Sequence, residues 1–377
     1  MASSATKHAR NNARVLFVIH SLGFGGAERV VVDFAKNLDR TCYEADVCVL
    51  SERLALAGEL SGSGVGLHVL PKRSRFDAAL VARLAGLMRR LRPDVVSMHC
   101  RDAFHFATPA CLLAGVPVRI ATEHSVSPGT NEKLNRLAYR MSVPTWTATV
   151  AVSDYLRSFM IRTWSVPSER IRVIHNGVDF SRFRAPDRQA LRTTLGIPPG
   201  AGIVGNVGTL KKEKGHKEFL NAAAWILAAG VDAHFVIIGD GPSRAELTRQ
   251  AASAGVLDRT HFLGARLDAP ELAAGFDVFL CTSEVETFGL AIVEAMYMGV
   301  PVVAFDVGSI GEIVADGSSG FLVPPGDSPA ACSRVISILA SEDVRRTMGQ
   351  SAHAGAVERF SVSGMIRSYE KLFFREA

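Results

Sequence analysis

Residues 279–323 read FLCTSEVETFGLAIVEAMYMGVPVVAFDVGSIGEIVADGSSGFLV. A short apolar run ends at Cys281, a polar loop carries Glu284, Glu286, Thr287, Phe288 and Gly289, and a helical pattern begins near Leu290. VPVVAF and GFLV then read as two more buried strands, so the stretch is built of strand–helix–strand units that imply a parallel sheet. Backbone N–H groups at the start of the helix lack intrahelical partners and carry partial positive charge, which suits a diphosphate or sugar hydroxyls. Glu294 falls about one turn into that helix, inside the apolar stretch LAIVEAMYM, where an unpaired carboxylate is costly. Glu286 and Glu294 are therefore expected to border one pocket, where carboxylates accept hydrogen bonds from vicinal hydroxyls. The competing reading is that acidic residues near a helix start only offset its dipole, and Glu284 is read that way.

Working outward, the same alternation of short β-branched runs and longer helical patterns occurs twice. RVLFVIH (14–20), ADVCVLS, LHVL, DVVSMH, VRIATEH and TATVAVS read as strands of a first half, with SLGFGGAE as a loop before the helix RVVVDFAKNL. AGIVGNVGTL, HFVIIGDG, THFLG, DVFLCTS, VPVVAF and GFLV read as strands of a second. Between them RIRVIHNGVDFSRFRAPDRQALRTTLGIPPG carries an Asn-Gly turn and a Pro/Gly-rich run, as a domain connection does. The expectation is an α/β protein of two Rossmann-like, doubly wound parallel-sheet domains, residues 1–180 and 181–360. In parallel sheets ligands gather at the C-terminal ends of strands, so the informative residues are sought there.

Two further constellations follow strand ends. GNVGTLKKEKGHKEF (205–219) places Thr209, Lys211, Lys212 and Lys214 after a strand, as mobile cations for a diphosphate or as a solvated charge cluster. HSLGFGGAERVVVDFA (20–35) places Gly23, Gly25 and Gly26 between a strand and a helix, for close ligand approach or for a packed turn; Glu28 stands where a dinucleotide fingerprint wants a third glycine. His20, His99 and His124 also follow strands of the first half, as binding residues or as satisfied structural histidines.

Glu286 and Glu294 with seven residues between, the Phe-Gly pair, the Glu-Ala-Met helix, the Gly-Val-Pro-Val-Val turn, Gly308-Ser-Ile-Gly-Glu312 and DGSSGFLV recur in order as in retaining glycosyltransferase family 4. The chain resembles that family, in its GGAER branch, from Val15 to the closing FSVSGMIRSYEKLF. The resemblance implies a GT-B fold, with two domains facing across a cleft and residues 361–377 crossing back to the first. It implies an acceptor-binding first domain and a second domain that binds a nucleotide sugar. It implies that Glu286 approaches the donor sugar, that Glu294 binds the ribose hydroxyls, and that the Thr287–Leu290 loop, through the amides of Phe288, Gly289 and Leu290, holds phosphate and sugar. Lys214 matches the family's Lys before Gly. Thr209 stands where the family often has Arg, so Lys211 or Lys212 is expected to substitute. Gly25 and Gly26 are expected at donor phosphate or acceptor, and the backbone from Gly264 to Arg266 at the base. His124, in TEHS, matches the cleft histidine at the donor sugar and joins Glu286 and Lys214 as catalytic residues, with His99, Arg101 and Glu123 on the acceptor side. Ser153, Asn176 and Gly177 match positions beside cleft and hinge.

The implied reaction transfers a sugar from a nucleoside-diphosphate sugar, UDP-sugar before GDP-mannose, to a glycan, lipid-linked or small-molecule acceptor, in the synthesis of cell-surface polysaccharide, glycolipid or lipid-linked oligosaccharide. Retention is expected without a covalent enzyme intermediate, with no metal and no cofactor, the departing phosphate taking the acceptor's proton. Two other readings fit the same architecture: a sugar-nucleotide epimerase or hydrolase, and a non-enzymatic two-lobed sugar-binding protein.

Bulk composition is that of a globular protein, with 48% hydrophobic and 21% charged residues. The six cysteines show neither CxxC nor Cys/His spacing, so a zinc site or disulfide framework is not expected. Charge is uneven: Met1–Arg184 holds 25 Lys and Arg against 15 Asp and Glu, and the remainder 17 against 22. With the basic stretches PKRSR (71–75), VARLAGLMRRLR (81–92) and KLNRLAYR (133–140), this admits an anionic membrane surface as partner or only solvated helix faces. No nucleic-acid motif is present, and the polar, basic start MASSATKHARNNAR reads as no export signal, so the expected location is the cytoplasm, peripheral to the inner face of the membrane.

Overall fold

The computed structural model describes residues 12–74, 77–126, 132–185 and 187–374, and of 132–135 the backbone alone. The start of the chain through Asn11, Arg75 of the first basic stretch, the side chains of Lys133, Leu134 and Asn135, Pro186 of the connecting run and the last three residues of 361–377 lie outside the described residues.

In chain order the elements are β1 (Ala13–Ile19), α1 (Gly26–Asn37), β2 (Tyr43–Val49), β3 (Gly66–Val69), α2 (Ala78–Leu91), β4 (Val95–His99), α3 (Arg101–Ala114), β5 (Val118–Glu123), α4 (Glu132–Ser142), β6 (Ala148–Ala151), α5 (Asp154–Trp164) and β7 (Ile171–Val173). They continue through α6 (Arg188–Leu195), β8 (Gly202–Val207), α7 (His216–Ala228), β9 (Ala233–Ile238), α8 (Arg244–Ser253), β10 (Thr260–Phe262), α9 (Ala269–Ala273), β11 (Val278–Cys281), α10 (Leu290–Tyr297), β12 (Val302–Phe305), α11 (Ile310–Ile313), β13 (Gly320–Val323), α12 (Ser328–Leu339), α13 (Glu342–Arg359) and α14 (Val362–Phe373). The chain forms two compact units: one comprises the residues through Val152, Leu156–Gly177 and the residues from Val362, the other Ser153–Tyr155 and Val178–Ser361.

The first unit is a seven-stranded sheet in the order β3-β2-β1-β4-β5-β6-β7, the second a six-stranded sheet in the order β10-β9-β8-β11-β12-β13. Every strand pairing is parallel. Helices cover both faces of such sheets, so strands bury both sides and read as unbroken apolar runs. In β1 Val15 to Ile19 are all buried, and so is the whole of β9. Strand order reverses between β1 and β4 in the first unit and between β8 and β11 in the second. Loops leaving these neighbouring strands in opposite directions open a crevice at the strands' C-terminal ends, which is where the polar residues of the next section lie.

The helix after β1 starts at Gly26, inside the run GFGGAE expected to be loop. Arg29 N–H already bonds to Gly25 C=O at 3.0 Å, and Glu28 in the first turn offsets the dipole at that end. α14 packs in the first unit: Tyr369 and Phe373 lie 4.8 and 6.3 Å from Phe34 of α1, ring centre to ring centre. The Tyr369 hydroxyl bonds the Thr122 hydroxyl of β5 at 2.9 Å. All six cysteines are free thiols, and among the described residues no helix is long and apolar enough to cross a membrane.

Candidate functional site

In the second unit the loops that follow β8 and β11 are stitched together by backbone. Glu284 N–H donates to Glu213 C=O at 2.9 Å and the Thr282 hydroxyl to Gly215 C=O at 2.8 Å. Gly215 has φ +63°, and a Cβ there would sit 1.8 Å from the Thr282 carbonyl oxygen, so only glycine lets the lysine loop lie this close. On the other side Ser309 N–H donates to Glu286 C=O at 2.9 Å, and a Cβ on Gly308 (φ +60°) would come within 1.9 Å of the same oxygen. Both contacts set the Glu286 side chain. Its Oε1 accepts from Lys214 Nζ at 2.7 Å and from Ser283 Oγ at 2.9 Å, and the residue is buried. Burial pulls the Lys214 ammonium downward in pKa, but the charge and hydrogen bond of Glu286 outweigh it and the net shift is upward. The lysine therefore remains a cation at the mouth of the sheet.

Glu294, the fifth residue of α10, finds a different cation. Arg182 Nη2 donates to its Oε1 at 2.5 Å, with the two side chains 16% and 13% exposed. Arg182 belongs to the turn after Asp179, whose carboxylate accepts from Ser181 N–H at 3.1 Å. That turn is fixed by aromatic packing: Phe180 stacks on Tyr297 of α10 at 4.1 Å, and the Arg182 guanidinium lies 4.2 Å over the Phe183 ring. α10 opens at Gly289, φ +82°, so its first amides follow the Glu286 loop directly. Phe288 is buried against Phe360 at 5.6 Å, while Thr287 and Leu290 are partly exposed.

The other residues expected at the donor are less closely joined. Thr209 is partly buried and Lys211 exposed. Gly264, φ +72°, accepts from Gly239 N–H at 2.8 Å, and Arg266 is an exposed residue paired with Asp268. His216, the first residue of α7, is buried with neither ring nitrogen hydrogen-bonded among the described residues, and burial pushes its pKa down to about 4. Its Cε1 lies 3.9 Å from where a Cβ on Gly208 would stand.

In the first unit the expected residues fall at the ends of β1, β4 and β5. The Ser21 hydroxyl donates to Glu28 Oε1 at 2.7 Å, and Glu28 Oε2 lies 2.3 Å from where a Cβ on Gly25 would stand, so the glycine makes room for this carboxylate. Gly26 is exposed at the start of α1. His99 Nδ1 lies 2.9 Å from His124 Nε2, and His99 Nε2 lies 3.0 Å from Ser97 Oγ. Burial depresses both histidines, His99 well below its ordinary value and His124 to about 3, so both rings are neutral at physiological pH. Glu123 Oε1 accepts from the amides of His124 at 3.0 Å and Ser125 at 3.2 Å, and Oε2 from the Tyr139 hydroxyl at 2.5 Å. Burial raises the Glu123 pKa against those hydrogen bonds. Arg101 lies 4.9 Å over the Trp164 ring, and His20 Nδ1 lies 3.6 Å from Asp102.

Direct acceptor contact by His99 and Glu123 is therefore corrected. His99 is wholly buried with both ring nitrogens engaged, and Glu123 is 1% exposed with both oxygens taken, so each supports the segment that carries His124. Sequence reading passed over Arg182, Ser283, Ser97 and Tyr139. Arg182 had a signal: a carboxylate in an apolar helix demands a cation, and the connecting run is rich in arginine.

Two parallel Rossmann-like sheets with their polar clusters at the strand ends define a protein of GT-B architecture. The chain belongs to the glycosyltransferases: the model described as "Glycosyl transferases group 1" matches residues 187–354, and that described as "Glycosyltransferase Family 4" matches residues 24–182. Among curated relatives it is 28% identical over 312 residues to N-acetyl-alpha-D-glucosaminyl L-malate synthase of Bacillus anthracis, covering 79% of each chain. It is 31% identical over 280 residues to alpha-maltose-1-phosphate synthase of Mycolicibacterium smegmatis, covering 67% of this chain and 71% of that one. Among solved structures, Anabaena HepE in complex with UDP and glucose superposes with a TM-score of 0.87 at 26% identity, over 97% of this chain and 100% of HepE. Sucrose-phosphate synthase of Thermosynechococcus elongatus shares the fold with a TM-score of 0.79 at 17% identity, over 97% and 99% of the two chains.

Proposed function

We propose that this glycosyltransferase moves a sugar from a nucleoside-diphosphate sugar, UDP-sugar before GDP-mannose, to a hydroxyl of a glycan, lipid-linked or small-molecule acceptor in cell-surface polysaccharide, glycolipid or lipid-linked oligosaccharide synthesis. The observation that carries the reading is the Lys214–Glu286 pair, a partly buried lysine on a buried carboxylate, at the strand-order reversal of the second unit, beside the opening of α10. A diphosphate leaving group needs positive charge, which the Lys214 ammonium and the amides of Phe288, Gly289 and Leu290 supply without a divalent metal or other cofactor. Thr209, Lys211 and Gly25–Gly26 serve the phosphates, and Gly264 with Arg266 the base. Glu294 takes the ribose hydroxyls, Glu286 the sugar, and neutral His124 assists there, with Arg101 on the acceptor side. The solved complexes of HepE with UDP and with UDP-glucose favour a uridine donor.

Transfer proceeds with retention and no covalent enzyme intermediate, the departing phosphate accepting the acceptor's proton. The protein acts at the cytoplasmic face of the membrane, to which the exposed Arg89 and Arg90 of α2 contribute positive charge. The test is incubation with UDP-glucose, UDP-N-acetylglucosamine or GDP-mannose and candidate acceptors, with and without chelator. Acceptor-dependent release of nucleoside diphosphate and a product of unchanged anomeric configuration by NMR are expected. An inverted anomer, or loss of activity on chelation, contradicts the scheme, and sedimentation with anionic liposomes tests the membrane contact.

A further inference from the structure

Three titratable side chains from three strand ends of the first unit meet around one carboxylate oxygen. Asp102 stands in the first turn of α3, just after β4, His20 directly follows β1, and Lys72 comes shortly after β3. Asp102 Oδ2 lies 3.6 Å from His20 Nδ1 and 3.6 Å from Lys72 Nζ. Strand order reverses between β1 and β4, so the cluster stands where such a sheet opens a crevice for a ligand.

The cluster is open. An N–H donor closes on oxygen at about 2.7–3.2 Å, and neither contact reaches that range. Exposed pairs elsewhere in the chain do close, Lys217–Glu246 to 2.5 Å and Arg266–Asp268 to 2.6 Å. Among the described residues the Asp102 carboxylate accepts no hydrogen bond and the Lys72 ammonium donates none. Both side chains can be reached, Asp102 at 51% exposure and Lys72 at 24%. Lys72 is also held in place: its amide donates to the Leu50 carbonyl at 2.9 Å, and its ammonium lies 5.6 Å from the centre of the Phe106 ring. Phe106 is four residues beyond Asp102, on the same face of α3. The turn that presents Asp102 is strained, because Cys100 takes φ +67° and ψ 154°, a region that residues other than glycine seldom occupy. Strain of this kind clusters at ligand sites.

A first-turn aspartate offsets the dipole of α3 without any cation beside it, so the dipole does not account for the arrangement. A carboxylate only accepts hydrogen bonds and an ammonium only donates them. What fits between them must donate on one side and accept on the other. Neighbouring hydroxyls of a sugar ring do both, whereas Asp102 repels a phosphate or carboxylate and Lys72 repels an amine.

We propose that Asp102 and Lys72 form a subsite for an uncharged sugar ring of the acceptor, one ring hydroxyl donating to the Asp102 carboxylate and its neighbour accepting from the Lys72 ammonium. This rests on the reading that the first unit receives the acceptor, and it narrows that acceptor to one that ends in a neutral sugar.

The test is saturation-transfer NMR on the full-length protein with the methyl glycosides of glucose, galactose, mannose and N-acetylglucosamine, and with L-malate as an anionic probe. At least one glycoside is expected to bind the wild type. Asp102→Asn and Lys72→Met should each weaken that binding about tenfold, while Lys72→Arg, which keeps the charge, should retain most of it. Melting curves that match the wild type show that the variants fold. The proposal is overturned if no neutral glycoside binds, or if binding is unmoved in both Asp102→Asn and Lys72→Met, as a structural ion pair requires. It is also overturned if Asp102→Asn tightens L-malate binding and leaves the glycosides unchanged, as an anionic acceptor requires. Failure of the transfer reading shows separately, as absence of nucleoside diphosphate release by the wild type from UDP-glucose, UDP-N-acetylglucosamine and GDP-mannose with every acceptor.

Discussion

The Arg182–Glu294 pair makes a prediction whose size follows from its burial. At an effective dielectric constant of about 20, two unit charges about 4 Å apart attract by roughly 4 kcal/mol, most of which offsets the cost of taking both from water. Removing one partner breaks an ion pair in a site where the side chains are only 16% and 13% exposed. The usual loss for a fully buried pair is about 3–5 kcal/mol, and the residual exposure reduces it to roughly 2–3 kcal/mol. Arg182→Met, which keeps the stem over Phe183, and Glu294→Gln, which keeps the shape, should each destabilise the second unit by that amount. The double variant removes both charges together and should lose only about 1 kcal/mol relative to the wild type, giving a coupling of about 3–5 kcal/mol. Urea unfolding followed by pulse proteolysis reads this, with the surviving fragments identifying the unit that has unfolded. Additive losses in the double variant would refute the claim that the two charges are energetically coupled in the unliganded protein.

Other consequences are independent of that pair. Lys214→Met should lower turnover by about two to three orders of magnitude with a smaller change in donor KM, because its charge is used most when the diphosphate departs; equal losses of donor binding and turnover would place it in ground-state binding instead. Gly308→Ala adds a Cβ within 1.9 Å of the Glu286 carbonyl at φ +60°, so the Glu286 loop must move; melting should fall and turnover should drop at least about tenfold, and a variant with wild-type turnover would deny that this turn sets the glutamate. His99, His124 and His216 have folded pKa values below the unfolded value of about 6.5, so in acid the unfolded chain binds more protons than the folded one. Their contribution to stability is complete above about pH 6.5 and is lost as pH falls toward 4, by up to about 1.4 kcal/mol per pH unit for each histidine. Melting temperatures in a pH series should fall over that window, and replacing His216 by Met should flatten the slope; an unchanged slope would mean the ring is not buried neutral.

The two sheets were readable because parallel strands are buried on both faces: RVLFVI and HFVII leave little else for those runs to be. The start of α1 was harder, since GFGGAE has the composition of a loop and only the bond from Arg29 to Gly25 draws Gly26 into the helix. Glu286 and Lys214 stood out by spacing and charge, but their direct pairing depends on β8 and β11 being neighbours although β9 and β10 lie between them in sequence. Arg182 is 112 residues from Glu294, and nothing local marks it among the arginines of the connecting run. The three histidines of the first unit read as separate candidates, and only the pairing of β4 with β5 shows that His99 stands behind His124 while His20 turns to Asp102.

Calorimetric titration of UDP into the wild type and into Glu294→Ala tests the donor site most directly. The account predicts saturable binding to the wild type and at least about tenfold weaker binding to the variant, since the ribose hydroxyls lose their carboxylate. Absence of UDP binding to the folded wild type, or equal affinity in the two proteins, would contradict it.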